Sequence, residues 1–271
     1  MANNLPNETK VQVIKNLCED ASIRAIERMT GVHRDTVMRL GVRVGEACKT
    51  ILDEKMRNLE CSDIQVDELW GFIGKKNKNV KVSEQRNGVG DVWTFVAIDR
   101  PTKVIPSFVV GKRDLYHARE FMEDLAARIS RRIQLSSDAL AAYPEAVESG
   151  FGCEIDYGQL VKTYSVEHLG NFKEAATRYS PAEVVKAEKC VIVGLPEQSR
   201  ICTSHVEKQN HTVRMHCRRL SRLTNAFSRK LENFKAAIAL HFAYYNFCKI
   251  HGAIRCTPAM EIGIEPSIWT V

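Results

Sequence analysis

Over the first sixty residues apolar positions recur every three or four places, the period of helices that pack on one side. Val11, Ile14 and Leu17 form one stripe, and Ile23, Ile26 and Met29 continue it after Ser22, a residue type suited to cap a helix start. A Thr30-Gly31-Val32 turn follows. In the next stretch Val37 and Leu40 face inward while His33, Arg34, Thr36 and Arg39 face out, and the period runs on through Val44, Cys48 and Ile51 to about Arg57. One long, rigid helix is therefore expected to bridge into the rest of the chain. From Asp63 the period shortens to that of strands: 63–73, 92–99 and 104–110 are β-rich and predict an antiparallel meander, with a long basic linker after the first run. An amphipathic helix over 115–129 (Leu115, Phe121, Met122, Leu125, Ile129) leads to a short strand in 132–138 and a helix around 140–149. A helical crossover implies parallel pairing, so this fourth strand is expected beside the first.

Residues 151–203 read as an insertion in the same unit, with a strand-like stretch at 153–164, a Ser180-Pro181 turn and a short apolar run at 191–194. A clean helical period returns from Ser204 to about Ser221, with Val206, Val213, Cys217 and Leu220 apolar. A second helix is expected over 231–248, and a short third one capped by Thr257, opened by Pro258 and stopped by Gly263. The expected fold is thus α/β in two units. An all-α helix-turn-helix unit over 1–60 precedes a mixed sheet over 61–271, whose order βββαβα is that of the ribonuclease-H-like fold. A helix-turn-helix sends its second helix into the major groove, here with Arg34, Thr36 and Arg39 outward, and the same spacing also suits an ordinary helical hairpin. Ten basic and nine acidic residues leave 1–60 nearly neutral, so charge does not decide between the two.

Composition narrows the class. Hydrophobic residues at 44% and charged residues at 27% are ordinary for a globular protein. No stretch approaches the ~18 uninterrupted apolar residues of a membrane span, and the N-terminus has no basic region followed by an apolar run, so a cytoplasmic location without membrane contact is expected. Nine cysteines without a CxxC pair argue for reduced thiols, and Cys202, His205, His211 and His216 match no usual zinc-finger spacing. The net charge is +6, yet residues 201–255 alone hold ten Lys or Arg against two acids, 10 − 2 = +8. Such concentration is the footprint of a polyanion partner, although a solvated helix face would also produce it.

Three carboxylates stand out. Asp67 lies in the first strand and Asp138 at the C-terminal end of the fourth, so neighbouring strands would bring them to one end of the sheet. Two-metal chemistry on phosphodiesters needs that convergence, with ions about 3.5 to 4 Å apart, and hard Mg2+ (or Mn2+) suits oxygen ligands. On the helix from Ser204, residues Glu207, Asn210, Arg214, Arg218 and Ser221 share a stripe. Glu207 is expected to close a site for two ions while Lys208, Asn210, Arg214 and Arg218 grip DNA. Trp70, Trp93 and Tyr143 read as packing groups at the core or site edge.

The blocks VDELWGFIGKK, SSDALAAY, TSHVEKQNHTVRMHCRRLSRLTNAFSRKLEN and YYNFCKIHGAIRCTPAMEIGI resemble the DDE transposases of bacterial insertion sequences, closest to the insertion-sequence-one family. The likeness covers most of 61–263. It implies that Asp67, Asp138 and Glu207 are the catalytic acids, with Arg214 the basic residue seven positions after the Glu. It also implies magnesium, action on the element's terminal inverted repeats and on target DNA, and assembly of more than one subunit. Many enzymes of this superfamily keep a shorter interval before the Glu, which Glu174 would satisfy, whereas 68 residues separate Asp138 from Glu207 here (207 − 138 − 1). Glu174 lacks the neighbouring basic stripe, which favours Glu207. A nuclease of the same fold that never joins strands, and a DNA-binding regulator descended from a transposase, are the competing readings.

Overall fold

The computed structural model describes residues 5–81, 88–164, 184–222 and 224–271. Three helices open the chain: α1 (Asn7–Cys18), α2 (Ile23–Thr30) and α3 (Arg34–Lys55). Ser22 caps α2, its hydroxyl accepting from the Ala25 N–H, and Gly31 ends the helix at a φ of 69°, a left-handed conformation that glycine adopts without steric cost. The three helices share a small core of Val13, Ile26, Val32, Val37 and Leu40. Two expectations shift by register: Val13 rather than Val11 is the fully buried position of α1, and Met29 is exposed.

A six-stranded mixed sheet follows in the order β3-β2-β1-β4-β5-β6. Strand β1 (Asp63–Ile73) pairs antiparallel with β2 (Gly90–Asp99), and β2 with β3 (Phe108–Gly111), as the meander predicted. β3 is shorter than the apolar run 104–110 because Pro106 has no N–H to give a ladder. Helix α4 (Leu115–Ala126) crosses over to β4 (Ile133–Ser137), which lies parallel to β1 as expected. Helix α5 (Tyr143–Phe151) then leads to β5 (Ile155–Tyr164), parallel to β4, and β6 (Val184–Val193) closes the sheet antiparallel to β5. Much of the expected insertion is therefore sheet. The Ser180-Pro181 turn lies outside the described residues.

The strands separate two helical layers. Phe95 of β2 meets Phe121 of α4 and Tyr143 of α5 on one face. On the other lie α6 (Ser204–His216) and α7 (Leu231–Ala243), where Gly71 of β1 leaves room for Leu220 and Phe234. A π-helical turn over Tyr244–Cys248 extends α7, and α8 (Pro258–Glu261) is capped by Thr257. The C-terminal half of α3 belongs to this larger core through Leu52, with Met56 just past the helix end. It packs so closely on α7 that a Cβ at Gly45 would lie 2.2 Å from the Ala236 carbonyl oxygen. Helix α3 is thus one rod through both cores.

Among the described residues no helix is long and apolar enough to cross a membrane. All nine cysteines are free thiols.

Candidate metal centre

The β1–β4 ladder ends where Gln65 faces Ser136, while β1 runs on to Ile73. At its flank the sheet opens into a notch, and Asp138, one residue past the end of β4, stands at its mouth. Asp67 and Glu68, successive residues of β1, point to opposite faces of the sheet. Both nevertheless reach the notch: one ligand oxygen each from Asp67, Glu68 and Asp138 lie within 4.8 Å of one another. Asp138 is oriented by an Asx turn, its Oδ1 accepting from the Leu140 N–H at 3.0 Å.

From the α6 side a third element closes over the notch. Gln65, fully buried, accepts from the N–H groups of His205 and Val206 at 2.9 and 3.2 Å, so a β1 side chain caps α6 and fixes its height above the sheet. Thr203 turns its hydroxyl to Glu207 Oε1 at 2.6 Å, and the Lys162 ammonium of β5 pairs with the same oxygen. Asn210, one turn further, donates to Asp67 Oδ2 at 2.8 Å. Asp67, Asp138, Glu207, Arg113, Lys162 and Thr203 line one open cavity of about 600 Å3.

Charge in this cavity is concentrated beyond what the local cations neutralise. Burial, followed by the neighbouring Glu68 carboxylate, pushes the Asp67 carboxyl up to about 7, with Asp138 and Glu207 adding to the rise. Burial also raises Glu68, opposed by Tyr143 and by Arg113, whose Nε donates to Glu68 Oε2 at 2.9 Å. Tyr143 is a core residue, as its sequence context suggested, with its hydroxyl beside the acids. Carboxylate oxygens crowded where the β1–β4 ladder stops, one of them (Glu68 Oε1) buried without a close hydrogen-bond partner, suit a hard divalent cation such as Mg2+ or Mn2+. The donor set fits such an ion. Nothing in it favours magnesium over manganese.

Asp67 and Asp138 therefore meet in the tight cluster, and Glu207 faces them across the same cavity, tied to Lys162. Glu174 lies outside the described residues. The basic stripe is only partly preserved, because α6 ends at His216 and Cys217 turns to extended backbone. The chain folds back on the helix end, with Arg214 Nη1 donating to the Leu220 carbonyl at 3.4 Å and Ser221 to the Arg214 carbonyl at 3.3 Å. Arg218 and Ser221 leave the stripe and bind Asp20, next to α1, at 3.0 and 3.1 Å. Burial, with Arg222 nearby, pushes the Arg214 guanidinium down to about 10. Lys208 stays exposed near Lys103 and His205, where crowding of positive charge adds to burial in lowering both of those groups. At the start of α3, Arg34 and Arg39 are exposed and Thr36 is half-buried.

Sequence reasoning missed Glu68, Gln65 and Lys162. Glu68 was visible only as the acid adjacent to Asp67, and no local signal marked the other two. Comparison of the chain with protein-family models and with curated proteins finds no match to either.

Proposed function

We propose that the chain is a DNA transposase of the DDE class, cutting DNA at the ends of an insertion sequence and joining them to target DNA by phosphoryl transfer. The observation that carries this reading is the meeting of Asp67 and Asp138 where the parallel pairing of β1 and β4 stops, with Glu207 of α6 across the cavity. The order β3-β2-β1-β4-β5, with β1 central and helices on both faces, supports a ribonuclease-H-like identity for the sheet unit.

Asp67, Asp138 and Glu207 would hold two Mg2+ or Mn2+ ions, which supply Lewis-acid polarisation of the phosphodiester and stabilise charge on the entering and leaving oxygens. In the first step a water oxygen bonds to phosphorus and the P–O3′ bond breaks, freeing a 3′-hydroxyl. That hydroxyl then attacks a target phosphodiester and displaces its O3′, so no covalent enzyme intermediate is needed. The chain's own groups hold the geometry: Asn210 fixes the Asp67 carboxylate, Gln65 fixes the height of α6, and Lys162 balances Glu207.

Duplex DNA is the proposed partner. Under this reading α2, the Gly31 turn and α3 form the helix-turn-helix, with Arg34, Thr36 and Arg39 directed to the major groove. Lys208 meets the phosphate backbone near the cavity, while Asn210, Arg214 and Arg218 mainly hold the site and the N-terminal helices in place. The catalytic assembly on paired ends is a homo-oligomer.

The test is cleavage of a duplex carrying the element end. Asp67→Asn, Asp138→Asn and Glu207→Gln should each abolish cutting and leave DNA binding near that of the parent. If Glu207→Gln cuts normally and Glu174→Gln does not, the third ligand is misassigned. Pre-cleaved ends that yield no end-to-target product would mark a nuclease instead.

A further inference from the structure

Asp67 and Asp138 explain only part of the notch. Glu68 is the most enclosed of its carboxylates: its side chain is 2% exposed, Oε2 is held by Arg113, and Oε1 has no hydrogen-bond partner. A buried carboxylate oxygen without a donor is costly unless something cationic meets it. Arg113 answers Oε2 only, and the fully buried Tyr143 hydroxyl beside Glu68, itself without a close hydrogen-bond partner, brings a donor but no charge. Its Nε binds Glu68, its Nη2 lies 3.7 Å from Asp138, and its guanidinium lies over the Trp93 ring at 5.2 Å from the centroid. It lines the cavity and is partly exposed, so it is the displaceable member of the group.

We propose that Glu68 is a direct cation ligand, forming with Asp67 and Asp138 a three-carboxylate cage that grips one divalent ion from both faces of the sheet. Arg113 is the cation that stands in for it. The inference deepens the reading above and rests on it, since the cage is the same centre. Its geometry is particular to a place where a ladder stops. Two successive strand residues, normally separated by the sheet, reach one point because no strand lies between them there. Three anionic oxygens and one guanidinium leave an excess of negative charge that a hard divalent ion would neutralise.

The experiment is Mn2+ titration of the full chain without DNA, followed by calorimetry and by loss of the free-ion electron paramagnetic resonance signal. Glu68→Gln should weaken Mn2+ binding at least about tenfold, and Glu68→Asp should fall between it and the parent. Arg113→Gln should leave affinity unchanged or raise it, because a competitor for Glu68 and Asp138 has gone. Equal affinity for Glu68→Gln and the parent, with Asp67→Asn and Asp138→Asn deficient, would overturn the ligand role and leave the proposed function standing. A loss in Arg113→Gln as large as that in Glu68→Gln would also overturn it, since Glu68 would then act only through Arg113. If Asp67→Asn and Asp138→Asn bind Mn2+ like the parent, the reading of the whole centre fails. Should Glu68→Gln not fold, Glu68→Asp set against Arg113→Gln decides the question alone.

Discussion

Asp67→Asn should stabilise the metal-free protein at alkaline pH. The folded chain holds the Asp67 carboxyl at about 7 against an ordinary 3.8, so it keeps a proton that the unfolded chain has already released. Folding is therefore penalised progressively as pH rises from about 4 through about 7, and the penalty is constant beyond. A gap of that size corresponds to about 4 kcal/mol, an upper figure because relaxation and water entry soften it, so about 2–4 kcal/mol is expected. Asn keeps the shape and can still accept from Asn210 while carrying no charge. Urea unfolding with chelator should show the variant more stable by that amount at pH 8, by about a third of it at pH 5, and nearly level with the parent at about pH 4. Saturating Mn2+ should then stabilise the parent far more than the variant. Equal midpoints at pH 8 in chelator would refute the claim that the centre stores unneutralised charge.

Other consequences can be measured independently. Gly45→Val places carbon atoms within the Ala236 carbonyl contact and should cost about 2–4 kcal/mol in urea unfolding, through forced separation of α3 and α7. His241 is fully buried, both ring nitrogens lack partners, and burial pushes its imidazole down to about 3. The unfolded chain takes up a proton there near pH 6.5 and the folded one does not, so stability present above pH 6.5 is lost as pH falls toward 3, by up to about 5 kcal/mol. His241→Leu should remove that part of the acid sensitivity, and an unchanged pH–stability profile would contradict it. Arg39→Ala and Lys208→Ala should each weaken duplex binding, and Lys208→Ala should lower the log–log salt slope by about one, as loss of one phosphate contact requires. An unchanged slope would remove Lys208 from the backbone contacts.

Asp67 and Asp138 were legible because one sits in an apolar strand run and the other just past the end of another, and a helical crossover between those runs left parallel pairing as the natural outcome. Glu68 was not. Strict alternation assigns it to the opposite layer from Asp67, and only the ladder's end at Gln65 and Ser136 brings the two together. Gln65 capping α6 joins residues 140 positions apart, which no periodicity encodes. β6 escaped notice because it is exposed along nearly its whole length, so its sequence carries no apolar alternation. The end of α6 was misjudged for the opposite reason: Cys217 and Leu220 are buried and keep the helical apolar spacing, although the backbone there has already left the helix.

Helix α3 has 22 residues, about 33 Å of continuous rod at 1.5 Å per residue. It contributes Val37 and Leu40 to one core and Leu52 to the other, and Arg218, Ser221 and Tyr244 hold Asp20 and Glu19 from the far side. The protein consequently has no joint between its first helices and its carboxylates. If the start of α3 grips a duplex, the rod acts as a ruler: the distance and helical phase between the bases recognised and the bond attacked are set by protein length, not by linker slack. Lengthening the rod by one turn would displace the position of attack, whereas a flexible tether of the same added length would leave it unchanged.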